Sequence, residues 1–467
     1  MGIQASVQIM NKISISPRRW LLLPIEIKVR ELEAKILLSC TAAENGYGVL
    51  LGPNSFNLKG RFPKGVYLDK SISPDKEAVL KQQVDKLGNK LAVLDEEGLV
   101  YESAQKYIKT RTSAKTVSLS SLIFTWGSEQ HRIINEEFDI SKKLILTGAP
   151  RASLWRPAMH FLYEKECSEI KSAYGDYILI SSNFSAPNNA NGPEFIIKQY
   201  ISCGYVHNQE EVELLRSQIA YQRKIFEKFI DLIPIIAESN PNRAVILRPH
   251  PGDNISIWKK HQTSWPPNVK VIYKGSISPW ILSSAVLVHN SCTSGIEAFV
   301  MKKPAIAYTP YRNGRFDQNI PNPLSQPANT AEGVLELIKS NIENNGLGRE
   351  YSKVLLCNQH IKPDDGKLAS DHIIETLDKL DLPKSSYSFR TGALIAGANY
   401  LKNNIKESLK DSFEKNRINK SYKKQKNPGI SLSEIKNLID VFQRNLFRFQ
   451  NVEVEQVDSH WFCFFTN

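Results

Sequence analysis

Arg243-Ala244-Val245-Ile246-Leu247-Arg248-Pro249-His250-Pro251-Gly252-Asp253 starts as a short β-rich apolar run and ends in a stiff polar turn. Such a run, closed by proline and glycine, reads as a buried strand. Further along, Ala285-Val286-Leu287-Val288-His289 reads the same way and runs into Asn290-Ser291-Cys292-Thr293-Ser294-Gly295-Ile296-Glu297-Ala298, where small hydroxyl residues open a helix. Outward from these two junctions the pattern repeats. Tyr177–Ser181, Val269–Tyr273 and Ala305–Tyr308 are further strands, with a long helix near Glu210–Glu238 between the first strand and Arg243. Earlier in the chain, Trp20–Pro24, Tyr47–Leu51, Gly65–Leu68, Leu91–Leu94, Leu122–Thr125 and Leu144–Thr147 read as strands. Between the first two, Leu32, Ile36, Cys40 and Ala43 share one helical face. Alternation of short strands with amphipathic helices predicts an α/β protein of two mostly parallel sheets, hence two Rossmann-like domains facing a cleft. The Asn-, Pro- and Gly-rich stretch Asn183 to Pro193 reads as a mobile loop. The expected domains are residues 18–170, 171–380 and a basic helical tail, 381–467.

At 467 residues and 41% apolar composition the chain is long enough for two or three domains of roughly 100–200 residues. Its 60 Lys+Arg against 48 Asp+Glu give a formal net charge of +12, which admits anionic partners without choosing among them. Much of that excess lies between Lys384 and Lys426, where eleven basic residues face three acidic ones. Beyond it, Ile435, Leu438, Phe442 and Leu446 have helical spacing, and His460-Trp461-Phe462-Cys463-Phe464-Phe465 forms an aromatic end. Two readings follow: a peripheral attachment to an anionic membrane surface, or a helix that packs back across the first domain. The six cysteines are scattered with no C-x-x-C pair, so neither a zinc ribbon nor a disulfide framework is expected and a reducing cytoplasm is the natural compartment. The apolar run Trp20 to Ile25 is far below the roughly 18–20 residues of a membrane span.

In open α/β sheets ligands bind beyond the carboxyl ends of the strands, so polar residues just after predicted strands are the candidates. His250, held between two prolines, would donate to a phosphate oxygen while Arg248 neutralises phosphate charge; the other reading is a rigid turn with a surface histidine. Asn290, Ser291, Thr293 and Ser294 would present hydroxyls and backbone N–H groups to a phosphate at a helix N-terminus, or Thr293 or Ser294 is simply an N-cap. Glu297 would reach a ribose hydroxyl or only favour the helix dipole. Asp95-Glu96-Glu97-Gly98 places three carboxylates at a strand end, where mutual repulsion should raise at least one pKa and suit a general base; a solvated acidic turn is the alternative. Glu26 follows the first strand beside Arg30, with Glu31 and Lys35 spaced as a helix-surface pair. G-x-S-x-G, G-x-x-x-x-G-K-[ST] and H-E-x-x-H are all missing from the sequence, so serine hydrolase, P-loop and zincin readings lack support.

Several motifs then recur in order: Leu22-Leu23-Pro24-Ile25-Glu26 with Arg30-Glu31-Leu32-Glu33-Ala34-Lys35, Tyr67-Leu68-Asp69-Lys70-Ser71-Ile72-Ser73-Pro74, Asp95-Glu96-Glu97-Gly98-Leu99, Trp126-Gly127, Thr147-Gly148-Ala149-Pro150-Arg151, Arg248-Pro249-His250-Pro251, Pro279-Trp280, and His289 to Ala298. Over about residues 18 to 330 they resemble a bacterial surface-carbohydrate biosynthesis family. More loosely, the order acidic-acidic-Gly, His-Pro, Ser/Thr resembles the GT-B-fold sialyltransferases and Kdo transferases that use CMP-activated acidic sugars. The resemblance implies Asp95, Glu96 or Glu97 as the catalytic carboxylate, His250 on the cytidylate or leaving phosphate, and Ser291, Thr293 and Ser294 on phosphate. Here the third motif reads Ser291-Cys292-Thr293-Ser294 rather than adjacent serines, which leaves open which hydroxyl meets the phosphate.

The expectation is a metal-independent glycosyltransferase for capsule or lipopolysaccharide, taking Kdo or a nonulosonate from a CMP donor to a lipid-linked or oligosaccharide acceptor. No cofactor and no nucleic acid is expected, and the location is cytoplasmic or peripheral on the inner face of the inner membrane. The alternatives are a polyol-phosphate or other nucleotide-sugar transferase of the same fold, and a non-catalytic glycan- or nucleotide-binding scaffold.

Overall fold

The computed structural model describes residues 14–53, 56, 62–189, 191–344, 350–388, 429–458 and 460–466. In the first half lie β1 (Ser14–Ile25), β2 (Tyr47–Pro53), β3 (Val66–Asp69), β4 (Lys90–Leu94), β5 (Leu122–Thr125) and β6 (Leu144–Leu146), parallel and in the order β2-β1-β3-β4-β5-β6. In the second half β7 (Ile178–Ser181), β8 (Val245–Arg248), β9 (Val269–Val271), β10 (Val286–His289), β11 (Ala305–Tyr308) and β12 (Gln326–Ala328) form a parallel sheet ordered β12-β11-β10-β7-β8-β9. Counted within its own half, that is the 6-5-4-1-2-3 order of a doubly wound Rossmann sheet. The expected α/β pair of Rossmann-like sheets is present. Val245, Ile246, Leu247, Val286, Leu287 and Val288 are all fully buried, as continuous apolar runs require when helices cover both faces of a sheet.

In each sheet the strand order reverses beside its first strand, between β1 and β3 and between β7 and β10. The chain leaves both reversal points at carboxyl ends, which is where a crevice opens. Helix α1 (Lys28–Glu44) follows β1, α2 (Gln209–Ser239) covers the second sheet, and α3 (Thr293–Val300) follows β10. Gly295 lets α3 lie close to β10, since a Cβ there would meet the His289 ring at 2.3 Å.

Leu32, Ile36, Cys40 and Ala43 of α1 are buried as expected, but so are Glu31, Lys35, Ser39 and Thr41. Glu31 and Lys35 are enclosed at the carboxyl ends of the strands, Lys35 3.6 Å from Glu96, whereas Thr41 meets Ser370 at 3.0 Å because the end of the chain returns to the first half sooner than expected. Residues 351–380, expected in the second domain, meet the first half: helix Tyr351–His360 packs on helix Ser128–Phe138, and α4 (Ala369–Leu377) packs on α1. The Lys362 N–H bonds the Trp126 carbonyl at 2.7 Å. β13 (Ser385–Ser388) runs antiparallel to the start of β1. Helix α5 (Leu432–Leu446) then covers α1, and β14 (Val452–Asp458) and β15 (Trp461–Thr466) form a hairpin whose inner strand pairs antiparallel with β2.

The apolar face expected of a membrane-seeking tail is therefore internal: Ile435, Phe442 and Trp461 through Phe465 are buried. Gly52 makes room for the Trp461 indole, which a Cβ would approach to 2.2 Å. Arg448 fastens the return through Glu44 at 2.6 Å and Asp371 at 2.9 Å. Of the expected tail, the stretch 389–428, which holds most of the basic residues, lies outside the described residues. Among the described residues no helix is long and apolar enough to cross a membrane.

Candidate active site

The carboxyl ends of both sheets border one cavity of about 240 Å³. On the second-half wall, Arg248 ends β8 and His250 follows it. Arg248 is 4% exposed and donates to the carbonyls of Lys274 and Gly275 at 2.8 Å each and of Ile272 at 3.3 Å, with its guanidinium 4.9 Å from the Trp280 ring. Among the described residues it has no carboxylate partner, and its Nε has no hydrogen-bond partner. Burial lowers its pKa to about 10. It thus braces the Ile272–Gly275 loop and leaves a positive charge uncompensated beside the cavity.

The His250 N–H donates to Ser182 Oγ at 3.0 Å, and its Nδ1 accepts from the Gly252 N–H at 3.0 Å. That bond puts the proton of the neutral ring on Nε2 and makes it a donor. Ser182 in turn donates to Asp253, which also accepts from Trp258 Nε1 at 3.0 Å. Burial pushes the Asp253 carboxyl up to about 6, against these hydrogen bonds. The stretch expected as a mobile loop is pinned to this motif: the Asn254 N–H bonds the Asn188 carbonyl at 2.8 Å, Asn189 bridges to Asp253, and Ser185 and Asn189 line the cavity.

The hydroxyl motif divides. Ser291 adopts a left-handed backbone (φ 47°), its N–H and hydroxyl engage Asn322 and its carbonyl accepts from Asn183, so it is held as a turn. Asn290 donates to the Tyr308 carbonyl at 2.8 Å and ties β10 to β11. Thr293 and Ser294 line the cavity. No side chain caps α3, and the Ser294 hydroxyl, 2% exposed, finds no oxygen or nitrogen partner. Glu297, on the next turn, pairs with Arg151 at 2.7 Å and accepts from Ser278 Oγ at 3.1 Å; burial raises its pKa against Arg151. Each of its oxygens thus has a donor, one of them a cation.

The first-half wall differs from expectation. Asp95 is buried and accepts from Arg111 and from the Tyr107 hydroxyl at 3.2 Å, while its backbone carbonyl takes Trp126 Nε1 at 2.7 Å. Glu96 is buried 3.6 Å from Lys35 Nζ, and Glu26 pairs with Lys70 at 2.7 Å. None of these three lines the cavity; Glu97 does, 3.1 Å from both Arg30 and Arg111. Desolvation would raise its pKa, but Arg111, Arg30 and Lys70 hold it well below the usual carboxylate range. Repulsion among the three carboxylates is thus answered cation by cation. The expected Glu31–Lys35 surface pair is not formed: Glu31 accepts from the Glu26 and Ile27 N–H groups at 3.0 and 3.1 Å and caps its own helix.

Among the cavity residues that sequence reasoning did not single out are Glu33, Arg151, Tyr163 and Ser276. Glu33 lies two positions beyond Glu31, hence on the opposite side of α1, and that offset is the signal that could have found it. Among the described residues no group of three or more His, Cys, Asp or Glu side chains is placed to hold a metal.

No family model matches this chain, and no curated protein does. Solved structures resemble it in chain path. They include UDP-GlcNAc 2-epimerase from Methanocaldococcus jannaschii in complex with UDP-GlcNAc and UDP, 13% identical at a TM-score of 0.45, covering 77% of this chain and 99% of that one. The wall teichoic acid polymerase TagF is 10% identical at 0.49, covering 78% and 89%. The S. aureus MnaA–UDP structure is 11% identical at 0.46, covering 80% and 100%. At these values the likeness assigns no activity to this chain.

Proposed function

We propose that this chain is a glycosyltransferase that takes a sugar from a nucleotide donor for a bacterial surface glycan. One observation carries the reading. At the reversal point of the second sheet, an uncapped helix, the unpartnered Ser294 hydroxyl, the His250 ring and the uncompensated Arg248 border the same cavity. A buried cation without a carboxylate, a hydroxyl without an acceptor and an uncapped helix start suit an oxygen-rich anion, and a departing phosphate gains negative charge as the sugar leaves. Thr293 and Ser294, rather than Ser291, are the hydroxyls for that phosphate, and Glu97 is the member of the acidic motif that meets substrate.

A CMP-activated acidic sugar is the preferred donor. Its support is the ordered motif resemblance, together with Arg248 and with Arg30, which lines the cavity and whose buried Nε has no hydrogen-bond partner. A lipid-linked or oligosaccharide acceptor would enter from the Ile27–Arg30 side. Thermal shift with CMP, CDP, UDP, GDP and ADP tests the reading, since a nucleotide at a hundred times its Kd stabilises by about 2.7 kcal/mol. Response to CMP is expected. Response to UDP or GDP without CMP overturns the donor, and silence to all five favours a non-catalytic scaffold.

A further inference from the structure

The cavity holds three carboxylates, Glu33, Glu97 and Glu297. Glu97 is clamped by two arginines and Glu297 by Arg151. For Glu33 the described residues offer no cation within ion-pair distance. Instead, its Oε2 accepts from the Tyr163 hydroxyl at 3.0 Å and its Oε1 from Ser276 Oγ at 3.2 Å. Ser276 belongs to the second half, so through it the carboxylate reaches across the cleft, and neutral groups orient it, with a lone pair left on each oxygen. A carboxylate bound to arginine is a poor base, because the cation favours its ionised form; one held by hydroxyls alone keeps its basicity.

We propose that Glu33 is the general base of the transfer, resting on the nucleotide-sugar reading above. The acceptor hydroxyl gives its proton to Glu33 as its oxygen bonds the anomeric carbon. The bond from that carbon to the donor phosphate breaks, and its electron pair leaves on the phosphate oxygen, toward Ser294 and His250. The surroundings agree with the geometry. Burial, then Glu166 on helix Glu164–Tyr174, raise the carboxyl, Tyr163 and Ser276 lower it, and Glu297 on α3 raises it further, to about 7. Such a group is divided between both forms near neutrality, as a base that must also release its proton requires.

The test uses the full chain and Glu33→Gln, with Glu33→Asp as a second variant. CMP and UDP binding are measured first, then release of CMP from CMP-N-acetylneuraminate and of UDP from UDP-GlcNAc, then the protonated-carboxyl infrared band of the wild type minus that of E33Q across pH. Expected are nucleotide affinity within about threefold of wild type, donor cleavage slowed about 10²-fold or more in E33Q with partial recovery in E33D, and an infrared titration near neutrality. Wild-type cleavage rates in E33Q, or a band already lost below about pH 5, overturn Glu33 while leaving nucleotide binding intact. If neither donor is cleaved, the infrared titration alone decides for or against the base. If no nucleotide binds the wild type, the donor reading falls, and the transfer step with it.

Discussion

At the carboxyl ends of the first sheet, Asp95, Glu96, Glu97 and Glu26 each meet a cation; at those of the second, the Ser294 hydroxyl and Arg248 Nε have no acceptor, Arg248 has no carboxylate partner among the described residues, and no side chain caps α3. The walls of one cleft are thus opposite in their electrostatics. A group whose partner is already in the protein contributes to folding, and removing that partner exposes a buried charge. A group without one costs folding energy and returns it when a ligand arrives. The difference separates residues that build the site from residues that bind in it, which residue type alone does not.

The strongest way to break this comparison is Arg111→Ala. It strands the buried Asp95 and one side of Glu97, so a loss of about 3–5 kcal/mol is expected in urea denaturation. A loss below about 1 kcal/mol would mean that the first wall is not held by its ion pairs. Next in size, Ser294→Ala and His250→Ala should each weaken CMP binding by about 1–3 kcal/mol, by calorimetry, while Ser294→Ala leaves unfolding within about 0.5 kcal/mol of wild type. Destabilisation without loss of affinity would return both residues to packing.

A smaller effect sharpens the picture. Ser182→Ala removes the acceptor that orients the His250 backbone and should cost about 1 kcal/mol of CMP affinity.

A separate effect is in pH dependence. Burial raises Glu33 to about 7 and Asp253 to about 6, so between the ordinary carboxylate range and those values the folded chain holds more protons than the unfolded one. Their contribution to stability therefore falls as pH rises through that window. Glu97 has the opposite sign: its contribution is present at neutral pH and is lost only as pH falls below the usual carboxylate range. Melting curves of Glu33→Gln should show a flatter decline toward neutrality and a higher Tm than wild type at about pH 8. An unchanged slope would place Glu33 in solvent.

The strand junctions were legible because an apolar run ending in proline, glycine or small hydroxyls has few other ways to fold. Their cavity-facing members were not separable in sequence: Ser291, Thr293 and Ser294 look alike until the φ of 47° at Ser291 turns it away. The acidic triplet misled for a related reason. Repulsion is visible in Asp95-Glu96-Glu97, but Lys35, Arg30 and Arg111 come from two other helices.

The tail shows the same limit at larger scale. Ile435, Leu438, Phe442 and Leu446 announce an apolar face, and only the fold shows that α1 lies beneath it.

Local sequence determined the parallel strands from β1 to β11, their polar ends and the two-sheet architecture, since period and punctuation act within a few residues; it did not reveal β12 or the three strands β13–β15 in the stretch expected to be helical. Tertiary structure alone decided which carboxylates are neutralised, where the aromatic end is buried, and that Glu33 meets Tyr163 on its own side and Ser276 across the cleft. Charge compensation depends on distance in space, and residues that are remote along the chain set that distance.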